Sequence, residues 1–335
     1  MTVKIGINGF GRMGRLVVRA LANHPDLELV HVNEINGNVE TAAHLMMFDS
    51  IHGTWDREAA SDGQSLFIND SKVTFSNYAT PAEVPWVNHG VSMVLECTGA
   101  FRSFETLNPY LEQGIRKVIV AAPVHDDRAL NIVMGCNDYL YDSKKHNIVT
   151  AASCTTNCIA PVVKVLHEEV GIEQGMVTTI HAPTNTQVVV DYPLNDQRRS
   201  RSALNSLIPT STGSATAITK IFPELEGKLN GIAVRVPVLN ASLTDCVFSL
   251  KQALSAESVN ELLSQAAETS LSGILGVERR PLVSADFVND PRSAVVDALS
   301  TTALDGGLVK VLLWYDNEYG YVHRMAELAN KIASE

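Results

Sequence analysis

Gly9-Phe10-Gly11-Arg12-Met13-Gly14 narrows the folding choices of this chain more than any other feature. The run fits G-x-G-x-x-G, a pattern that says little alone and much in context. The context is present. The apolar run Val3–Asn8 reads as a strand, and Met13–Ala22 has helical spacing. Gly9 permits a tight turn, Gly11 lets the backbone approach a ligand, and Gly14 lets the helix pack on the strand. A helix beginning there offers N–H groups and partial positive charge to phosphates. A second strand, Leu27–Asn33, ends beside Glu34, twenty residues after Gly14. An acid at that spacing accepts ribose hydroxyls and repels a 2′-phosphate, so NAD is expected over NADP.

At 335 residues the chain exceeds the usual size of one hydrophobic core, so two domains are expected. In the first half, short apolar runs at Ser92–Cys97, Lys117–Ala121, Asn131–Met134 and Asn147–Ala151 alternate with helical patterns. That alternation predicts an α/β domain over 1–152, a Rossmann-type doubly wound parallel sheet. The texture then changes. Longer strands are read at Gly175–His181, Asn230–Val236, Ser242–Leu250 and Leu308–Tyr315, with an irregular segment Pro183–Pro209 and a helix Ala256–Thr269. Strands in succession predict an α+β domain over 153–316 with a mixed or antiparallel sheet. The helical pattern at Tyr319–Ser334 would leave an apolar stripe exposed in isolation, so segment 317–335 is expected to complete the first domain.

A formal net charge of −11 disfavours nucleic acid and anionic lipid as partners, although a local arginine cluster can still hold a small anion. No run approaches the roughly 18 apolar residues of a membrane span, and the opening segment lacks the apolar core of a signal peptide. Five cysteines, an odd number, suit free thiols in a reducing compartment, so a cytoplasmic location is expected. Cys154 and Cys158 lack a second close pair at zinc spacing, and no metal is expected.

Ser153-Cys154-Thr155-Thr156-Asn157-Cys158 follows a strand and precedes the helical stretch Ile159–Val170. Cys154 therefore falls at or near a helix N-terminus, where free N–H groups and the dipole favour a thiolate. Pro161 is expected early in that helix, where a missing N–H costs least. Cys97, Cys136, Cys158 and Cys246 read as buried small hydrophobes. A thiol nucleophile benefits from a nearby base. Spacing does not choose among ten histidines, but His181 leads because it ends the apolar run Met176–Ile180 and opens the polar turn His181-Ala182-Pro183-Thr184. Arg198-Arg199-Ser200-Arg201 reads equally as a solvated or subunit-interface run.

Together these segments resemble the glyceraldehyde-3-phosphate dehydrogenase family along essentially the whole chain. INGFGRMGR, ASCTTNC, HAPTNTQ and WYDNEYGY carry the likeness. The resemblance implies that Cys154 attacks an aldehyde, that His181 acts as base and ion-pair partner, and that phosphate releases the resulting thioester. It implies that Gly9, Phe10, Gly11, Arg12, Met13, Gly14, Glu34, Thr98 and Gly99 line the cofactor site, with Asn317 holding the nicotinamide carboxamide and Tyr321 nearby. It assigns Thr184 and Arg235 to the substrate phosphate, and Ser153, Thr155, Thr212, Gly213 and Arg199 to the attacking anion. It also implies a homotetramer, with Pro183–Pro209 at a subunit interface.

Several positions depart from housekeeping members. Thr216 stands where lysine is usual, Asn185 where a small residue is usual, and Glu34 replaces the common aspartate. Glu34, Phe48-Asp49-Ser50-Ile51-His52-Gly53 and Pro281–Phe287 resemble the erythrose-4-phosphate dehydrogenase branch, yet Thr212-Gly213, which that branch lacks, is kept. Thr184-Asn185-Thr186, Thr212–Ala217 and Pro237–Cys246 are most similar to the glyceraldehyde-3-phosphate dehydrogenases encoded beside the organoarsenical exporter ArsJ. There arsenate replaces phosphate, and exported 1-arseno-3-phosphoglycerate confers arsenate resistance. The competing readings are a glycolytic or gluconeogenic enzyme, an erythrose-4-phosphate dehydrogenase, and an RNA- or protein-binding module on a dinucleotide fold. A redox-sensing thiol is compatible with any of the enzyme readings.

Overall fold

The computed structural model describes residues 2–335. They group into two compact units. One takes the described residues up to Met134, Asp138–Ser153 and Val322–Glu335; the other takes Gly135–Asn137 and Cys154–Tyr321. No helix among the described residues is long and apolar enough to cross a membrane.

In the first unit β1 (Val3–Asn8) leads to α1 (Arg12–Leu21) and β2 (Leu27–Asn33). α2 (Val39–Met47) and a short hairpin, β3 (Phe48–Asp49) with β4 (Gly53–Thr54), precede a meander of β5 (Ala59–Ser61), β6 (Ser65–Ile68) and β7 (Ser71–Ser76). β8 (Met93–Glu96), α3 (Phe104–Glu112), β9 (Lys117–Val120), β10 (Leu130–Asn131) and β11 (Ile148–Thr150) follow. Among the described residues they form a nine-stranded sheet in the order β10-β11-β9-β8-β1-β2-β7-β6-β5. Pairing is parallel from β10 through β7 and antiparallel through the meander. β2 lies on one side of β1 and β8 on the other, so strand order reverses there. The carboxyl end of β1 is thus the switch point where doubly wound sheets bind ligands.

Packing explains the close approach at β1. Trp86 is fully buried with Leu107, Tyr110 and Val118, and a Cβ on Gly6 would stand 2.8 Å from its ring. The strand read at Asn131–Met134 shrinks to Leu130–Asn131, and α1 starts one residue earlier than expected. The meander escaped the sequence because Ser71–Ser76 buries only Val73 and lacks a clean apolar alternation.

In the second unit α4 (Cys154–Glu169) enters β12 (Ile172–His181). β13 (Ile208–Ser211), α5 (Ser214–Ile221), β14 (Leu229–Arg235), β15 (Ser242–Leu250), α6 (Ala256–Glu268), β16 (Leu275–Glu278), β17 (Ala294–Asp297), β18 (Thr302–Leu304) and β19 (Leu308–Tyr315) follow, and α7 (Tyr319–Ser334) closes the chain, belonging from Val322 onward to the first unit. The sheet is mixed, ordered β13-β14-β12-β15-β19-β17-β16, with β18 added to β19. β14 runs parallel to β12 and β17 to β16, and the other pairs are antiparallel. β15 alternates strictly, burying Ser242, Thr244, Cys246, Phe248 and Leu250 beneath α4, which packs on β12, β15, β17 and β19. On the opposite face Met176, Ile180, Ile232 and Leu308 stay exposed. The irregular reading of Pro183–Pro209 holds for most of that segment, with β13 beginning at Ile208.

Candidate active site

The two glycines of the turn that face protein do so for steric reasons. Gly9 has φ +87°, and a Cβ there would lie 2.6 Å from the Thr98 amide nitrogen. A Cβ on Gly14 would meet the Gly9 carbonyl oxygen at 2.1 Å. Gly11 differs, because its missing Cβ has nothing within 4 Å. Protein packing therefore does not demand a glycine there, whereas a bound pyrophosphate does. Gly11 caps α1 without a side chain, and the first turn carries no acid.

Glu34 sits against this turn. Its Oε2 accepts the Phe10 N–H at 2.6 Å and its Oε1 the Asn36 N–H at 2.7 Å. A carboxylate has about four acceptor sites, so capacity for ribose hydroxyls remains. Thr98 donates its N–H to Glu96 Oε1 at 2.8 Å and its hydroxyl to the same oxygen, while Gly99 has φ +70° and open space where a Cβ would be. Arg12 is held in an ion pair with Asp49 at 2.7 Å and Phe10 is buried, so neither offers its side chain freely. Met13 is half-buried. The open cradle at Gly11, the adjacent acid and the helix start suit a dinucleotide diphosphate with an unmodified ribose.

In the second unit, strand ends gather under the start of α4. The helix begins at Cys154 itself, five residues earlier than the sequence suggested, after Ala152, whose φ of +53° turns the chain sharply. Pro161 is consequently two turns inside the helix, where it has no N–H to add to the helical ladder. Cys154 Sγ lies 3.5 Å from His181 Nε2. His181 ends β12 and Arg235 ends β14, and the parallel register makes them direct neighbours. Arg235 Nη1 is 2.6 Å from His181 Nδ1 and donates to the Ala182 carbonyl at 2.9 Å.

That contact sets the protonation state. A guanidinium only donates, so Nδ1 accepts from Arg235, and the ring proton sits on Nε2, facing sulfur. His181 Nδ1 is also 2.6 Å from the Ala182 carbonyl, which would take an Nδ1–H if Arg235 withdrew. Burial and then the Arg235 charge hold His181 down to about 3, against the Ala182 bond. Burial pushes the Cys154 thiol up, outweighing Arg235 and the Thr155 hydrogen bonds, although the residue is only half-buried. As the side chains stand, then, a neutral thiol faces a neutral imidazole. The ion pair expected from the sequence requires Arg235 to be drawn off or its charge balanced.

The anion candidates each make local contacts. Thr184 is exposed, its hydroxyl bonded within its turn to Gln187 and Thr186. Arg199 donates to Thr210 Oγ1 at 2.9 Å and lies 3.5 Å from Asp196; its charge is felt by Arg235. Thr212 Oγ1 donates to Ser214 Oγ, and Gly213 caps α5 with no atom where a Cβ would be. Arg201 pairs with Asp191 on the surface. Ser153 is half-buried and Tyr321 buried.

Sequence reasoning missed Tyr315 and Ser242. Thr155 Oγ1 is 3.0 Å from the Tyr315 hydroxyl, and Ser242 Oγ donates to Asn317 Oδ1 at 2.8 Å. A tyrosine two residues before Asn317 in an apolar strand was the available signal; a serine opening a strand gave none.

Comparison with known proteins agrees with this chemistry. A family model described as "Glyceraldehyde 3-phosphate dehydrogenase, C-terminal domain" matches residues 153–317, and one described as "Glyceraldehyde 3-phosphate dehydrogenase, NAD binding domain" matches residues 3–104. The chain belongs to the glyceraldehyde-3-phosphate dehydrogenase family. It is similar to glyceraldehyde-3-phosphate dehydrogenase 3 of Nostoc sp., at 59% identity over 99% of both chains. Similarity to glyceraldehyde-3-phosphate dehydrogenase 1 of Bacillus subtilis is 47% over 100% of this chain and 99% of the other. The plasmid-borne enzyme of Cupriavidus necator is 44% identical over 99% of each. The protein is thus an NAD-dependent oxidoreductase of this family's type, with NAD as its cofactor and small molecules as its substrates.

Proposed function

We propose that the protein catalyses the phosphorylating oxidation of glyceraldehyde 3-phosphate, with Cys154 as nucleophile and His181 as base. The observation that carries this is the 3.5 Å approach of Cys154 Sγ to His181 Nε2 at the first residue of α4. Arg235 and Thr184 bind the substrate phosphate. Arg235, turned toward that phosphate, frees His181 Nδ1; the ring exchanges its proton with solvent from Nε2 to Nδ1, where it is donated to the Ala182 carbonyl, and the bare Nε2 then takes the thiol proton. The thiolate attacks the aldehyde carbon, and the His181 imidazolium returns its proton to the resulting oxyanion, giving a thiohemiacetal. His181 removes its hydroxyl proton as the carbon is oxidised, and a thioester remains on Cys154. The Gly9–Gly14 turn, Glu34, Thr98 and Gly99 would hold the diphosphate and ribose of NAD, and Asn317, with Tyr321, its carboxamide; the nicotinamide would accept the hydride. Ser153, Thr155, Thr212 and Gly213, aided by Arg199, hold the second anion. That anion attacks the thioester carbonyl, and the Cys154 thiolate leaves.

Arsenate serves as that second anion in the role we favour, making 1-arseno-3-phosphoglycerate for a dedicated exporter. The likeness at Thr184–Thr186, Thr212–Ala217 and Pro237–Cys246 supports it. A glycolytic or gluconeogenic role uses the same site with phosphate. A homotetramer in the cytoplasm completes the reading: the apolar outer sheet face with Met176, Ile180, Ile232 and Leu308 calls for a cover, and five free thiols suit a reducing compartment.

The test follows NADH formation from glyceraldehyde 3-phosphate with no added anion, phosphate or arsenate, beside erythrose 4-phosphate and Cys154→Ser. Turnover that needs either anion and vanishes in the variant is expected. Anion-independent turnover, or preference for the tetrose, would replace this reading with thioester hydrolysis. Loss of arsenate resistance on deleting the gene, restored only when the exporter is also present, separates the arsenate role from the glycolytic one.

A further inference from the structure

Ser242 is almost wholly buried at the start of β15, directly opposite Tyr315 on β19. A serine hydroxyl has one proton and two acceptor sites. The Ala182 N–H, next to His181, donates to Ser242 Oγ at 3.1 Å, and the serine proton goes to Asn317 Oδ1 at 2.8 Å. The Tyr315 hydroxyl, on the facing strand, lies 3.0 Å from Thr155 Oγ1. The serine hydroxyl thus accepts from the backbone beside His181 and donates to Asn317.

We propose that Ser242 is a positioning residue that fixes which face of the Asn317 amide meets the nicotinamide carboxamide. This rests on the reading above that Asn317 holds that group. With Oδ1 committed to Ser242, Asn317 turns its Nδ2 outward, and Nδ2 donates to no group among the described residues. Two N–H donors are thereby presented to a ligand carbonyl oxygen. The flipped amide would present an acceptor and repel it. Removing the Ser242 hydroxyl frees the amide to rotate and strands the Ala182 N–H, so the carboxamide loses its fixed partner while the diphosphate cradle at Gly11, which makes no use of Ser242, is untouched.

The experiment measures NAD and ADP-ribose affinities by calorimetry for the parent, Ser242→Ala, Ser242→Thr, Asn317→Ala and the double variant. ADP-ribose keeps the diphosphate but lacks the nicotinamide. Ser242→Ala should weaken NAD about tenfold, the loss of roughly one hydrogen bond, and leave ADP-ribose unchanged. Ser242→Thr should restore NAD binding, and Ser242→Ala should add nothing in the Asn317→Ala background. Proton NMR of NADH made with a C1-deuterated aldehyde should show label on both faces of C4 in Ser242→Ala and on one face in the parent. Unchanged NAD affinity in Ser242→Ala beside a weakened Asn317→Ala overturns the role of Ser242 alone. Unchanged affinity in both overturns the reading of Asn317 and this inference with it. An equal loss of ADP-ribose affinity shows a structural role instead. If Ser242→Ala fails to fold, Ser242→Cys, a near-isostere with a weak donor, carries the same comparison, with an intermediate loss confined to NAD expected.

Discussion

Replacing Arg235 with leucine should raise the pKa of His181, and the size of the rise follows from the geometry. His181 is held from its ordinary 6.5 to about 3, burial being the larger cause and Arg235 the second. The net lowering is 6.5 − 3, about 3.5, with the Ala182 bond opposing both causes, so Arg235 supplies less than burial does. Coulomb's law gives an upper bound: two unit charges about 4 Å apart at an effective dielectric constant near 20 repel by about 4 kcal/mol, or roughly three pKa units. The truncated variant should therefore titrate about one to two higher than the parent, near 4 to 5. NMR of carbon-13-labelled histidine in the cofactor-free protein reads this directly. The parent His181 resonance should stay flat from pH 8 to 5, while that of Arg235→Leu bends below pH 6. Superimposed curves would refute the claim that the 2.6 Å contact sets the protonation of the base. The same variant should lose substrate phosphate binding, raising KM about 10- to 100-fold for one charge-assisted contact, and that loss is read separately from the titration.

Two further outcomes follow from packing and burial. Gly14→Ala, with its Cβ 2.1 Å from a carbonyl oxygen, should cost about 1–3 kcal/mol or more of stability. Gly11→Ala, which meets nothing within 4 Å, should stay within about 1 kcal/mol of the parent yet bind NAD more weakly; equal stability losses in urea unfolding would contradict the assignment. His31 is buried against Thr74, Ser76 and the stacked His89, and burial and then His89 hold its pKa at about 3. Because the unfolded chain binds this proton near 6.5, stability falls as pH drops from about 6.5 toward 3, by about 1.4 kcal/mol per pH unit for each such histidine. His31→Gln should flatten that slope by the same amount, and an unchanged slope between pH 6 and 4 would show that His31 is not neutral in the fold.

The dinucleotide half of this site was legible because its requirements are backbone requirements. A positive φ at Gly9 and a 2.1 Å approach at Gly14 leave glycine as the only residue, and an obligatory residue type leaves a readable pattern. Cys154 was legible for a related reason, since a strand-to-helix junction exposes a side chain by its local geometry. The protonation state of the catalytic pair was not legible. It depends on Arg235, 54 residues from His181, brought alongside by the parallel register of β12 and β14. No local rule specifies a register between strands so far apart in sequence. Ser242 was invisible on the same ground: its meaning comes from standing opposite Tyr315, and serine at a strand start is ordinary in itself.

One tension in the sequence resolves at this level. A chain of net charge −11 binds, on the proposed function, an anionic cofactor and two anionic substrates. At physiological ionic strength charges are screened beyond about 8 Å, so the global balance matters less than which cations are already spent. Arg12 is paired to Asp49, Arg201 to Asp191, Arg292 to Asp290 and Arg280 to Glu278. Arg235 pairs with no carboxylate among the described residues, and its nearest partners are a ring nitrogen and a carbonyl oxygen. Its Nε is buried without a partner. A guanidinium so placed is poorly satisfied, and an incoming phosphate satisfies it better than His181 can. On the function proposed above, binding and activation become one event: the anion that anchors the substrate also draws off the cation that kept the base neutral, and the nucleophile is armed only when there is something to attack.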